Sequence, residues 1–118
     1  MIKIVTLLKR KAGLSKGDFV AYYESHHRGI GEKVLSGFAV RYFRRYLHPA
    51  DGVDQDCDFD VVMEIWFPDQ ARREAWIATL SDPALMAEIV ADEEKLFDRS
   101  RIRTFTYDES ESDLPAVG

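Results

Sequence analysis

Two hydrophobic periods alternate along this chain, and their order constrains its fold more than any other feature. Ile2 to Leu8 is apolar and β-branched almost throughout, which predicts a mostly buried strand. Lys9 to Leu14 forms a basic turn, and Ser15 follows as a helix N-cap with Asp18 three residues on, the capping-box position. Phe19, Tyr22, Tyr23 and His26 then recur at i, i+3, i+4 and i+7, one face of a helix that Gly29 and Gly31 are expected to end. The period returns to two over Phe38 to His48, and neither face of that strand is cleanly polar. After an Asp- and Gly-rich loop, Pro49 to Asp58, a third strand runs from Asp60 to Phe67 and stops at Pro68. Gln70 to Leu80 reads as helix. Ser81-Asp82-Pro83 restarts a helix to about Phe97, with Leu85, Met86, Ile89, Val90, Glu93 and Leu96 at helical spacing. Arg101 to Tyr107 is the last strand.

The order β-α-β-β-α-β is the ferredoxin-like arrangement, an α+β fold with four antiparallel strands and helices on one face. The other face still carries apolar and aromatic side chains, and a second copy packing sheet to sheet would cover them. The expected architecture is therefore a homodimeric α/β barrel. The 118 residues fit one domain, residues 1–108, followed by an acidic tail, 109–118, expected to be disordered.

Composition excludes several functions. The net charge is -5, with both signs interspersed, whereas a general nucleic-acid binder carries a basic face. No apolar run approaches the roughly 20 residues of a membrane helix. Cys57 is the single cysteine and lies among aspartates that disfavour its thiolate. One cysteine and no apparent signal peptide point to the cytoplasm. The only histidines are His26, His27 and His48, without metal-ligand spacing, so no metal is expected. No glycine-rich nucleotide motif is present and no cofactor is expected.

The chain resembles the EthD family of dimeric α/β-barrel proteins. Lys9 to Ser15 looks like that family's strand-to-helix turn. Phe19, Tyr22, Tyr23 and His27 match its aromatic helix ending in a histidine. Phe59 to Phe67 is similar to its third strand, and Asp92-Glu93 and Phe97-Asp98 precede the last one. One departure stands out: family members often follow the histidine with Ala-Pro, whereas Arg28-Gly29 stands here. The resemblance implies a small, mostly apolar, aromatic or polyketide-like ligand and, in some members, a place beside an oxygenase system. Related dimeric barrels include cyclases, dehydratases, isomerases and cofactor-free monooxygenases.

These readings define a candidate site. Adjacent helical residues diverge by about 100°, so His26 and His27 cannot both face one pocket. Periodicity puts His26 on the aromatic stripe, while the family match favours His27. Either imidazole titrates near neutrality in its free form and suits acid or base work, or else caps the helix end. Tyr22, Tyr23, Tyr42 and Trp66 could wall a ligand site or simply fill the core. Glu64 shares a strand face with Asp60, Val62 and Trp66. It either pairs with arginines on neighbouring strands or orients the histidine. Three functions follow: a cofactor-free enzyme using His27, a non-catalytic accessory or binding protein of an oxygenase system, and a dimer whose barrel is filled by its own side chains.

Overall fold

The computed structural model describes all 118 residues. Its strands are β1 (Ile2–Leu8), β2 (Arg41–Tyr46), β3 (Val61–Phe67) and β4 (Arg103–Phe105). They form one antiparallel sheet in the order β2-β3-β1-β4, the ferredoxin-like topology. The helices are α1 (Lys16–Tyr22), a π turn (Tyr23–His27), α2 (Arg28–Leu35), α3 (Gln70–Thr79) and α4 (Pro83–Leu96). The starts of α1, α3 and α4 are chemically marked: Ser15, Asp69 and Asp82 accept backbone N–H bonds from Asp18, Arg72 and Ala84, and Pro83 opens α4. No helix is long and apolar enough to cross a membrane.

Gly29 and Gly31 do not end the first helix, contrary to expectation. The helix continues through the π turn to Leu35, and Gly37, at φ +86°, follows its end. The reason lies in packing. A Cβ on Gly31 would stand 2.8 Å from the Tyr42 hydroxyl and 2.9 Å from Cε2 of the same ring. Tyr42 can lie against α2 only because that position has no side chain, and this contact outweighs the helix cost of glycine, about 1 kcal/mol. Gly29 is exposed and has no neighbour there.

The same substitution should therefore act with opposite signs at the two glycines. Gly29→Ala is expected to stabilise by up to about 1 kcal/mol through helix propensity. Gly31→Ala gains the same term but forces the Tyr42 ring aside, an overpacking cost of about 1–3 kcal/mol, and should be neutral to destabilising. Urea unfolding of both variants checks this, and a Gly31→Ala protein as stabilised as Gly29→Ala would refute the close contact.

β1 spans the expected Ile2–Leu8, whereas β2 and β4 are shorter than their patterns. Phe38 and Ala39 both donate N–H bonds to Leu35 O at the helix end, so β2 begins only at Arg41. A 3-10 turn, Arg99–Arg101, takes the start of the expected last strand. Residues 108–118 form neither helix nor strand and are exposed.

Alternation sends Ile4, Thr6 and Leu8 of β1, Val61, Met63, Ile65 and Phe67 of β3, and Tyr42, Arg44 and Tyr46 of β2 toward the helices. The core there is split. Leu8, Phe19, Tyr23, Val61, Leu96 and Phe97 make one cluster, and Ile4, Leu35, Ile65 and Phe67 make another. Tyr42 and Met63 touch both, which places them at the seam. The opposite sheet face carries Val5, Leu7, Phe43, Trp66 and Phe105 beside Lys3, Arg41 and Arg45. Nothing in a single chain packs a second layer over it, and only 15 of 118 residues are buried.

Candidate functional site

The seam between the two clusters opens into a cavity of about 240 Å³. It lies between the sheet and the helices, with ten hydrophobic residues among its thirteen lining residues. His27, Ile30, Gly31, Val34 and Leu35 come from the first helix, Tyr42, Met63 and Ile65 from the sheet, and Trp76, Leu80, Met86, Ile89 and Glu93 from the last two helices. Two titratable groups able to carry charge at neutral pH line this apolar space: His27 and Glu93.

The π turn decides which histidine faces inward. In a regular helix each residue advances about 100°, so residues four apart drift by about 40° per step. Across Tyr23–His27 the turn widens, and Arg28 N–H bonds to Tyr23 O, five residues back. The wider turn takes up part of the drift and keeps Phe19, Tyr23 and His27 on one inward line. His26 is displaced: it is exposed, stacks on Tyr22 with ring centroids 4.7 Å apart, and shares a hydrogen bond with Ser25 Oγ. The period-3.6 expectation that His26 joins the buried stripe fails for this reason.

His27 is held from behind. Its Nδ1 lies 2.8 Å from Asp92 Oδ2, and its ring meets Tyr23 and Phe97 edge to face at 5.1 and 5.3 Å. Asp92 also accepts a hydrogen bond from the Tyr22 hydroxyl, which pushes the Tyr22 phenol up to about 12. Burial raises the Asp92 carboxyl, but the Tyr22 and His27 hydrogen bonds and the charges of His27 and Lys95 outweigh it and hold Asp92 below the usual carboxylate range. An ionised carboxylate only accepts, so the imidazole must carry its proton on Nδ1 to make this bond. Nε2 is then left as a free lone pair on the ring that lines the cavity.

Glu93 is the neighbour of Asp92 on α4, turned by about 100°, and it faces the cavity instead. No hydrogen bond or ion pair reaches its carboxylate. Burial pushes it above the ordinary glutamate value and the nearby Asp92 charge adds to this, while Arg99 and His27 oppose it. The adjacent carboxylates are thus shifted in opposite directions. Because Glu93 binds its proton more tightly folded than unfolded, its stabilising contribution is complete below the unfolded value and is lost as pH rises through the folded one. Glu93→Gln should accordingly be more stable relative to the wild type at neutral pH than at about pH 4, near the ordinary glutamate value. Thermal unfolding across that range checks it, and a difference that stays flat with pH would count against a desolvated Glu93 carboxylate.

The four aromatic residues expected as walls separate. Tyr42 lines the cavity. Tyr23 is fully buried behind it, hydroxyl to hydroxyl at 3.1 Å, and Tyr22 supports Asp92. Trp66 and Glu64 lie on the other face of the sheet, because Met63 and Ile65 take the cavity side of β3 and alternation turns their neighbours outward. Glu64 therefore cannot orient His27. It accepts from Arg45, Trp66 Nε1 and the Tyr107 hydroxyl at 3.0, 2.6 and 2.7 Å. Asp60, expected on the same strand face, is held elsewhere, accepting from Arg10 N–H at 2.9 Å and facing Lys9 at 3.5 Å. Glu24, on the π turn, is bound bidentately by Arg44, which holds its carboxyl below the usual range and ties the turn to β2.

Asp92, Glu93 and Trp76 were not read as site residues from the sequence. Glu93 had left a signal, since it continues the apolar spacing Met86-Ile89 with a carboxylate. Trp76 had left none; its indole N–H is buried without a partner, with Phe67 at 5.4 Å. No group of three or more His, Cys, Asp or Glu side chains is placed to hold a metal ion.

A fold of this topology with an inward histidine and a helix-side cavity defines a class, the ferredoxin-like α+β domains with a pocket between sheet and helices. Within it, the chain belongs to the EthD family, whose domain model matches residues 11–100. The solved structures it is similar to include At3g17210 of Arabidopsis thaliana, with a TM-score of 0.60 and 15% identity over 97% of this chain and 100% of that one. HapK of Hahella chejuensis has a TM-score of 0.60 and 12% identity over 99% and 100% of the two chains. A nipsnap family protein with unknown function from Agrobacterium tumefaciens has a TM-score of 0.57 and 16% identity over 96% and 91%. At these identities the likeness carries the fold alone. No curated protein matches the chain.

Proposed function

We propose that the protein binds a small, mostly apolar, aromatic or polyketide-like compound in the seam cavity, and that His27 acts on it as a cofactor-free acid or base. The observation that carries this reading is the hydrogen bond that His27 Nδ1–H donates to Asp92, which leaves Nε2 unpaired on a ring lining an apolar space. Packing alone does not call for a largely buried imidazole oriented by a buried carboxylate. A positioned base of this kind typically accelerates proton transfer by about 10²–10⁴-fold. The volume supports the ligand size, since an apolar cavity of about 150 Å³ takes one benzene.

Two copies are proposed to pack through the outer sheet faces, where Val5, Leu7, Phe43, Trp66 and Phe105 lack a second layer. Light scattering at micromolar concentration tests this, and a monomer would refute it. The ligand site is tested by a thermal-shift screen of phenols, quinones, ethers and polyketide-like acids, with Val34→Phe, which fills the cavity, alongside. Binding to the native state alone stabilises by about 2.7 kcal/mol at a hundredfold excess over Kd. A compound that stabilises the wild type and not Val34→Phe would support the site. No shift with any compound would favour a non-catalytic accessory role beside an oxygenase partner.

A further inference from the structure

We propose that Glu93 is the proton donor that works opposite His27, so that the site turns over enolisable ketones. This inference rests on the reading of the cavity as a ligand site with His27 as its base. Its geometry comes from one local feature of α4: consecutive carboxylates that point about 100° apart. Asp92 is turned to Tyr22 and His27 Nδ1, where all its strong interactions are made. Glu93 is turned into the cavity, where nothing bonds to it. A carboxyl group facing apolar walls without a partner is most stable as the neutral acid, because desolvation penalises the charged form. The charged and titratable groups around it are Arg99 from the 3-10 turn, Asp92 on its own helix, His27 from the π turn and Tyr42 from the sheet. The remaining walls contributed by α3 and the sheet are uncharged.

A base and an acid sharing one apolar space, with environments that push two adjacent carboxylates apart, form the recurrent pattern of acid–base catalysis. The step balances without any further reactant. His27 Nε2 takes the proton from the carbon beside a ligand carbonyl. The C–H electron pair becomes the enol C=C bond, and the carbonyl oxygen takes the proton of the Glu93 carboxyl. The site then holds an imidazolium, a carboxylate and an enol, and return of the protons restores the starting state. Neither oxidant nor reductant is consumed. Such a step would begin an isomerisation, or a ring closure in which the enol carbon attacks a second carbonyl.

Tetralone, a two-ring ketone of suitable size, serves as the probe. Its exchange of the hydrogens beside the carbonyl in heavy water is followed by NMR, and its binding by titration of the same samples. The wild type is expected to accelerate exchange, with a rate that falls as pH rises and Glu93 loses its proton. Glu93→Gln should lower the enhancement by about 10²–10⁴-fold, while tetralone Kd changes by less than about tenfold. Glu93→Asp should recover part of it. Exchange by Glu93→Gln at the wild-type rate would overturn the role of Glu93. Binding of tetralone by the wild type without exchange would overturn the proposed step and leave the ligand site standing. Absence of both would overturn the two together. Glu93→Gln is isosteric and removes a titratable carboxyl from an apolar wall, so loss of fold is not the expected outcome, and circular dichroism of the variant confirms that it is read as a folded protein.

Discussion

Replacing Phe19 with alanine is expected to destabilise the protein by about 3–5 kcal/mol, the usual cost of truncating a buried phenylalanine. Phe19 has no exposed surface, and it meets Tyr23, Tyr46 and Phe97 edge to face at 6.2, 6.4 and 5.9 Å. The truncation removes transfer free energy, leaves a void among three rings that cannot close on it, and breaks contacts worth about 0.5–1.5 kcal/mol each beyond burial. Domains of this kind hold about 5–15 kcal/mol in all, so the variant would sit near the edge of folding. Urea unfolding at fixed protein concentration should show a lower midpoint with an unchanged slope. A loss below about 1.5 kcal/mol would mean that the cluster repacks freely. The concentration must be fixed because any self-association would contribute to the apparent stability.

The second large effect is expected at Asp92, and it concerns chemistry more than folding. Asp92→Asn keeps the shape and can still accept a bond from His27, but its amide can also donate, so the imidazole is no longer committed to carrying its proton on Nδ1. Any fraction with the proton on Nε2 has lost its base. His27-dependent exchange of tetralone should fall by about 10²–10⁴-fold, the range a positioned base supplies. The ¹⁵N shifts of the imidazole should move toward the other tautomer, a readout that a merely structural role would leave alone. Unchanged imidazole shifts together with an unchanged rate would show that Asp92 holds the helix and nothing else. Acid should expose the same contact: because Asp92 is held below its unfolded value, the stability it contributes is present at neutral pH and is lost as pH falls through the folded value.

The order of periodicities was enough to anticipate the sheet and the helices that cover one face of it, because long periodic segments are decided by burial. Boundaries were harder. Gly29 and Gly31 read as a stop because glycine is a poor helix former, yet one of them is present so that a tyrosine from a strand distant in sequence can approach. The choice between His26 and His27 turned on a single wide turn that no 3.6-residue template contains. Trp66 and Glu64 were assigned correctly to one face of β3 together with Val62. Which face meets the helices is not written in a strand that is apolar on both sides. Asp92 is marked in the sequence only by the family resemblance, since a carboxylate on a helix ordinarily faces water.

The divided core carries a cost and an opportunity. Interiors gain from every void that is filled, so a fold that keeps a seam open forgoes contacts that a single continuous core would have made. Stability and ligand capacity therefore compete for the same volume. Selection for heat resistance alone should bring larger side chains to Val34 or Ile89, and those variants should outlast the wild type while no longer admitting a ligand. The empty space between Tyr42 and Glu93 is then best regarded as what the protein maintains against its own tendency to close.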